Sequence, residues 1–493
     1  MPLKATVVLQ RKLNTFDVTS LVVGSIVGAD IYIAAAIGAR LVGPASLLVW
    51  LLAGAIATII ALSFAYCAAV RPVVGGPYAY AKEAGSPAIG FTVGWSLLLA
   101  EWLSLAVFPV AFVQYSSSLF NVQGQLGETL LKGLFIALIL VSNVLGIKAA
   151  GRFNDLLTII KLSPLLLIIL AGLAFMIFTP SVPSTNFSPF MTGTLGGFGQ
   201  ALVLIFWAYA GFELSTLPAD EIVSPRRTIP KAIVTGMMIV VAFYLLTNFV
   251  IIGTVDSTEL ATSKSPLMDS ASEIFSSSGR FAEIAPVVIG VGALISVLGA
   301  DESGTLGTSR LAYALSLDGL MPKSLSRIHK RTGIPYVAVV AICLTAFVAS
   351  VLGSLVQLIN ASVFLLSFVY LATCASAIKL HKMDPHRSRT GVMIPVVGLL
   401  FSFALMALVN VDQILISLAL MLVGLPIYMF FSPKQELHEP KKAFLSREAV
   451  LRRAYEQGER FLAYPWRRIL WFAYRRTKRE KAWVVAEEKV KPQ

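Results

Sequence analysis

The chain has 493 residues, 56% hydrophobic and only 14% charged, which excludes an ordinary soluble globular domain and fits a polytopic membrane protein. The net charge of +13 does not point to nucleic acid, because residues 432–493 alone hold 16 basic and 8 acidic residues. GxSxG, HExxH and Walker A motifs are absent, and the four histidines and three cysteines lack metal-site or disulfide spacing, so no enzyme activity, cofactor or metal is expected.

About 20 apolar residues span roughly 30 Å of hydrocarbon, and twelve such runs are predicted. The first, 15–42, follows Lys4, Arg11 and Lys12, has no small-residue cleavage site and is too long for a signal-peptide core, so it reads as a retained helix. It contains "GSIVGADIY", Gly24 to Tyr32. Gly24 and Gly28 either let two intact helices pack closely or mark a break. Asp30 favours the break, because a carboxylate at membrane depth faces a cavity or a partner.

Runs 45–70, 89–119, 130–147 and 154–178 follow, with Glu101 in the third span and Lys161 in the fifth. Lys161 is the only base at membrane depth. Its readings are a side chain snorkelling to the headgroups, an ion pair with Asp301 or Glu302, or an unpaired amine that gains and loses a proton. The sixth run, 198–220, is interrupted at "FWAYAGFEL", Phe206 to Leu214, around Gly211, and carries Glu213. Runs 232–254, 283–309, 335–354, 358–379, 391–409 and 411–431 complete the set, with Asp301 and Glu302 in the eighth. At about 1.5 Å rise per residue, Asp30, Glu101 and Glu213 all fall near the bilayer midplane.

The two interruptions lie five spans apart, and an odd offset reverses direction through the membrane. This is the pattern of a five-plus-five inverted repeat, with repeat one at 15–178, repeat two at 198–379 and extra helices at 391–431 inside a transmembrane domain 1–433. Of the 40 Lys and Arg residues, 35 fall on the side of the termini; Arg40, Lys132, Lys264 and Arg280 lie opposite, and Lys161 within a span. Both termini are therefore expected in the cytoplasm, of a cell membrane. The tail, 434–493, contains "YPWRRILWFAYRRTKREK" and reads as an interfacial helix on anionic headgroups, or else as a solvated or partner-docking segment.

"FWAYAGFE" followed by "ADEIVSPRRTIPKAI", together with "GGPYAYAKEAGSPAIGFTVGW" and "SRLAYALSLDGLMPKSLSRIHKRTGIP", resembles the signatures of the amino acid-polyamine-organocation transporter family. The resemblance implies an all-α, LeuT-like fold of 12 transmembrane helices with helices 1 and 6 broken, and secondary transport by alternating access. It implies a substrate held by Ser25, Ile26, Gly28 and Ala29 on the first helix and Trp207, Ala208 and Ala210 on the sixth, with Trp207 closing over it. Lys161 matches the lysine of proton-coupled members, and Glu213, faced by Glu101, an acid that helps gate the cytoplasmic side. Asp30 departs from the family pattern, standing where the motif has its last glycine. Three outcomes fit: a cationic substrate without a carboxylate, an amino acid with Asp30 protonated or turned away, or an Asp30 paired with a cation of the protein. The expected function is a carrier of amino acids or related amines, coupled to protons and biased toward cationic amines; the alternatives are an amine exchanger and a non-transporting amine sensor or scaffold.

Overall fold

The computed structural model describes residues 13–71, 75–122, 124–145, 151–216, 222–329, 332–383 and 391–432, with the side chains of Ala29, 145, 151–160, 215 and 383 excepted. The expectation of a lipid-surface helix in 434–493 lies outside the described residues. The described part is a single helical unit ending at Phe431. No strand occurs among the described residues; their one β-pairing is an isolated bridge between Leu13 and Ile222.

The first predicted span is two helices, α1 (Thr15–Ile26) and α2 (Ala29–Val42). Asn14 starts α1 as a capping box, its side chain accepting from Phe16 and Asp17 N–H while Asp17 accepts from Asn14 N–H. The chain turns at Gly43–Ala45 into α3 (Ser46–Val70), and short α4 (Pro77–Ala84) leads to α5 (Pro87–Phe120), opened by Ser86 and by proline in the first turn. Then come α6 (Gln125–Leu145), α7 (Gly151–Phe178), short α8 (Ser181–Asn186) and α9 (Leu195–Phe206), which stops well inside the sixth predicted span. After α9 come two 3₁₀ turns, Trp207–Tyr209 and Phe212–Thr216.

The second half comprises α10 (Pro225–Thr254), short α11 (Ser257–Thr262) and α12 (Pro266–Phe275), α13 (Phe281–Leu317), α14 (Tyr336–Leu352), α15 (Leu355–Met383), α16 (Met393–Leu408) and α17 (Val411–Phe431). Helix α10 starts earlier than the apolar run does, because its first turns carry Arg226, Arg227 and Lys231 and are polar without ceasing to be helical. Among the described residues nine segments are long and apolar enough to cross a membrane, and three further apolar helices, α1, α14 and α16, are shorter. This is a multi-pass membrane protein.

Large apolar side chains point outward along α6, α7, α13, α16 and α17, including Leu134, Leu170, Val288, Phe403 and Leu422. Lipid leaves helices no hydrophobic reason to associate, so small residues that allow close approach decide where they meet. Gly292 of α13 is one: a Cβ there would stand 2.5 Å from the Pro164 ring of α7. Gly299 is another, where a Cβ would stand 2.8 Å from Lys161 Cε. Helices α1, α2, α5, α9, α10, α13 and α15 pack together around the two interruptions.

Candidate functional site: a cavity between two broken helices

The first break is at Val27 and Gly28. Val27 is extended (φ −72°, ψ 104°), Gly28 follows at φ −145°, ψ −140°, and the helix restarts at Ala29. Gly24 stays helical. A Cβ on Gly28 would lie 2.8 Å from Ala300 Cβ and 3.0 Å from Asp30 Oδ1, so α13 and the aspartate close on the glycine from two sides. Asp30 is buried and its carboxylate is turned back to the break: Oδ1 accepts from Gly28 N–H at 2.9 Å, and Oδ2 accepts from the Tyr244 hydroxyl of α10. That hydroxyl also lies 3.2 Å from Ile26 O.

The second break follows α9. Ala210 is extended and Gly211 adopts φ +119°, a conformation that L side chains rarely take. A Cβ on Gly211 would stand 2.5 Å from Ser25 O, so the two interruptions approach backbone to backbone. Ser25 Oγ joins them, 3.0 Å from Val22 O and 3.0 Å from Gly211 O. Glu213 repeats the arrangement of Asp30: Oε1 accepts from Gly211 N–H, two residues back, at 3.1 Å, and Oε2 from the Tyr370 hydroxyl of α15 at 3.2 Å. Glu101 of α5 lines the same cavity as Glu213.

These elements enclose a cavity lined by Ser25, Ile26, Asp30, Glu101, Ser104, Leu105, Phe108, Trp207, Ala210, Gly211, Glu213, Leu214, Ala300 and Gly304. The space is small in this conformation, so admitting a ligand much larger than water requires side chains to move. Trp207 is pinned by a relay: its indole N–H donates to Ser104 Oγ at 2.9 Å, Ser104 meets Ser362 Oγ at 2.9 Å, and Ser362 donates to Ala100 O. The Phe108 ring lies beside it, centroids 6.1 Å apart.

Of the residues expected at the site, Ser25, Ile26, Asp30, Glu101, Trp207, Ala210 and Glu213 line the cavity. Gly28 and Ala208 are buried behind it, and Ala29 is the first residue of α2. Lys161 does not snorkel. It is 2% exposed and Nζ donates to Gly24 O, in the last turn of α1, at 3.0 Å. Arg71–Glu83 and Lys82–Asp318 are ion pairs elsewhere in the chain, and the bond from Lys161 goes to a backbone carbonyl. Asp301 lies off the cavity, 1% exposed, and neither oxygen meets a described donor in hydrogen-bonding geometry, although Thr305 stands one turn further on. Glu302 is half-buried and also off the cavity. Sequence reasoning missed Tyr244, Tyr370, Ser104 and the small residues Ala300 and Gly304. The only signal for the tyrosines is that a hydroxyl in an apolar span needs a partner.

The described residues of this unit coincide with the match to known families. Residues 13–432 match the family model described as amino acid permease. The chain belongs to the amino acid permease family. It is 27% identical over 452 residues to a branched-chain amino acid permease of Bacillus subtilis, covering 86% of this chain and 94% of that protein. It is 28% identical to the human cystine/glutamate transporter over 87% of each chain, and 26% identical to a methylthioribose transporter of Bacillus subtilis over 71% and 78%. The family and these relatives are amino acid-polyamine-organocation transporters, not enzymes.

Proposed function

We propose that this chain is a secondary active transporter of amino acids or related amines, working by alternating access around the cavity between its two broken helices. The observation that carries the reading is the meeting of two interrupted helices at Ser25 and Gly211, with a cavity lined from both. Interrupted helices at membrane depth leave backbone groups free for a substrate, and a site shared by two such helices opens to either side when one rocks against the other. Counting α1 with α2, and α9 with its turns, as one broken span each beside α3, α5, α6, α7, α10 and α13–α17 gives twelve crossings. Two sets of five then form a LeuT-like inverted repeat, in a cell membrane with both termini cytoplasmic and the tail against anionic lipid.

Transport is coupled to protons. Lys161 ties α7 to the last turn of α1 through Gly24 O, and loss of a proton would weaken that tie beside the break. Glu101 of α5 and Glu213 of the second break face the same cavity, which gives the acid pair a gating role. Ser25, Ile26, Gly28 and Ala29 on one side and Trp207, Ala208 and Ala210 on the other supply the backbone and side-chain contacts for the substrate. Three acids and no basic residue line the cavity, which favours cationic amines. The named cargoes of the relatives extend from amino acids to methylthioribose.

Reconstitution into liposomes with radiolabelled amino acids and amines tests this. Uptake should survive removal of sodium and collapse with the proton gradient; persistence without either gradient means exchange, and no uptake of any compound overturns transport in favour of a sensor.

A further inference from the structure

The amino end of α2 lies beside the cavity, which its second residue, Asp30, lines; the first N–H groups of a helix and the positive end of its dipole make an anion seat. A substrate carboxylate would be drawn there. Asp30 already sits in that seat. Its Oδ1 takes the N–H of Gly28 at 2.9 Å, its Oδ2 takes the Tyr244 hydroxyl, and it is 4% exposed while bordering the cavity. Tyr244 is itself completely buried, with Ile26 O as its other neighbour, so the clasp is built from both sides of the break.

Resting on the transporter reading above, we propose that Asp30 is a built-in carboxylate that replaces the substrate's own, so that the cavity takes amines lacking a carboxylate. A free amino acid would have to place a second carboxylate within a few ångströms of the first, in a site where no lining residue carries a positive charge to offset it. The nearby ammonium of Lys161 is directed to Gly24 O. An amine meets the opposite situation, facing Asp30 and the Glu101–Glu213 pair together with the acceptor Oγ of Ser25. Glu213 shows that the device is part of how this chain finishes a break, since it clasps Gly211 N–H and Tyr370 in the same way. At that break the cavity faces the end of α9, where carbonyls rather than N–H groups are exposed, so Glu213 competes with no substrate carboxylate.

The test is binding of putrescine and of leucine to the purified full-length protein, read as thermal stabilisation and as equilibrium binding, for wild type, Asp30→Asn and Asp30→Gly. Wild type should bind putrescine and not leucine. Asp30→Asn keeps an oxygen for Gly28 N–H and the size of the side chain, and should weaken putrescine at least tenfold without lowering the melting temperature by more than a few degrees. Asp30→Gly empties the seat and should gain leucine binding while losing putrescine. The proposal is overturned if wild type binds leucine, if it binds neither ligand, or if Asp30→Asn binds putrescine as wild type does. Leucine uptake into liposomes would sink this inference and leave the transporter reading standing, whereas absence of all uptake would sink the latter.

Discussion

Tyr244 and Tyr370 carry more of this site than their chemistry advertises. Each places a buried hydroxyl against a carboxylate oxygen that would otherwise lack a donor, and a hydrogen bond to a charged group is worth roughly 1.5–3 kcal/mol. Tyr370→Phe should therefore lower thermal stability by about 2 kcal/mol and loosen the Glu101–Glu213 pair, which an uptake assay would show as transport with an altered pH profile. Lys161→Ala should abolish the pH dependence of uptake while substrate binding remains measurable; an unchanged pH profile would remove Lys161 from coupling. Neither tyrosine is marked in the sequence, where both sit in ordinary apolar runs. The acids were legible because a charge in a membrane span needs an explanation, but their partners were not, because the partners lie 214 and 157 residues away along the chain.

Among elements, the interruptions have different causes although both contain glycine. At the first, Gly28 stands under Ala300 with no room for a side chain. At the second, Gly211 needs a positive φ and also lies against Ser25 O. Gly211→Ala combines a strained backbone with a steric overlap, so it should cost about 3 kcal/mol or more and remove uptake, with loss of folded protein in size-exclusion chromatography as the check. Outside the membrane, Asp256 caps α11 through Thr258 N–H and hydroxyl, and those bonds hold its carboxyl below the usual carboxylate range. A depressed value means that the cap is fully formed at neutral pH and weakens as acid protonates it. Amide exchange across 257–262 should rise on acidification below the ordinary aspartate range, after correction for intrinsic exchange, and Asp256→Ala should erase that dependence. The helices themselves were well marked by apolar runs. The short α8, α11 and α12 were not, since a few turns of polar helix look like a loop in composition.

At the scale of the molecule, removal of residues 434–493 should leave uptake intact in a carrier and abolish output in a sensor, measured by transport in liposomes against a full-length control. Composition and the spread of basic residues determined that this chain lives in a membrane, and the glycines and acids of Gly24–Tyr32 and Phe206–Leu214 determined where its helices could break. These are local properties, written in consecutive residues and in what a bilayer will tolerate. Which reading of Gly24 and Gly28 was right, whether Lys161 reached lipid or turned inward, and what held Asp30 were decided only by tertiary structure. The physical reason is that a buried charge is settled by the groups that surround it. Here those groups come from α10, α13 and α15, brought to the two breaks by helix packing that no stretch of sequence encodes alone.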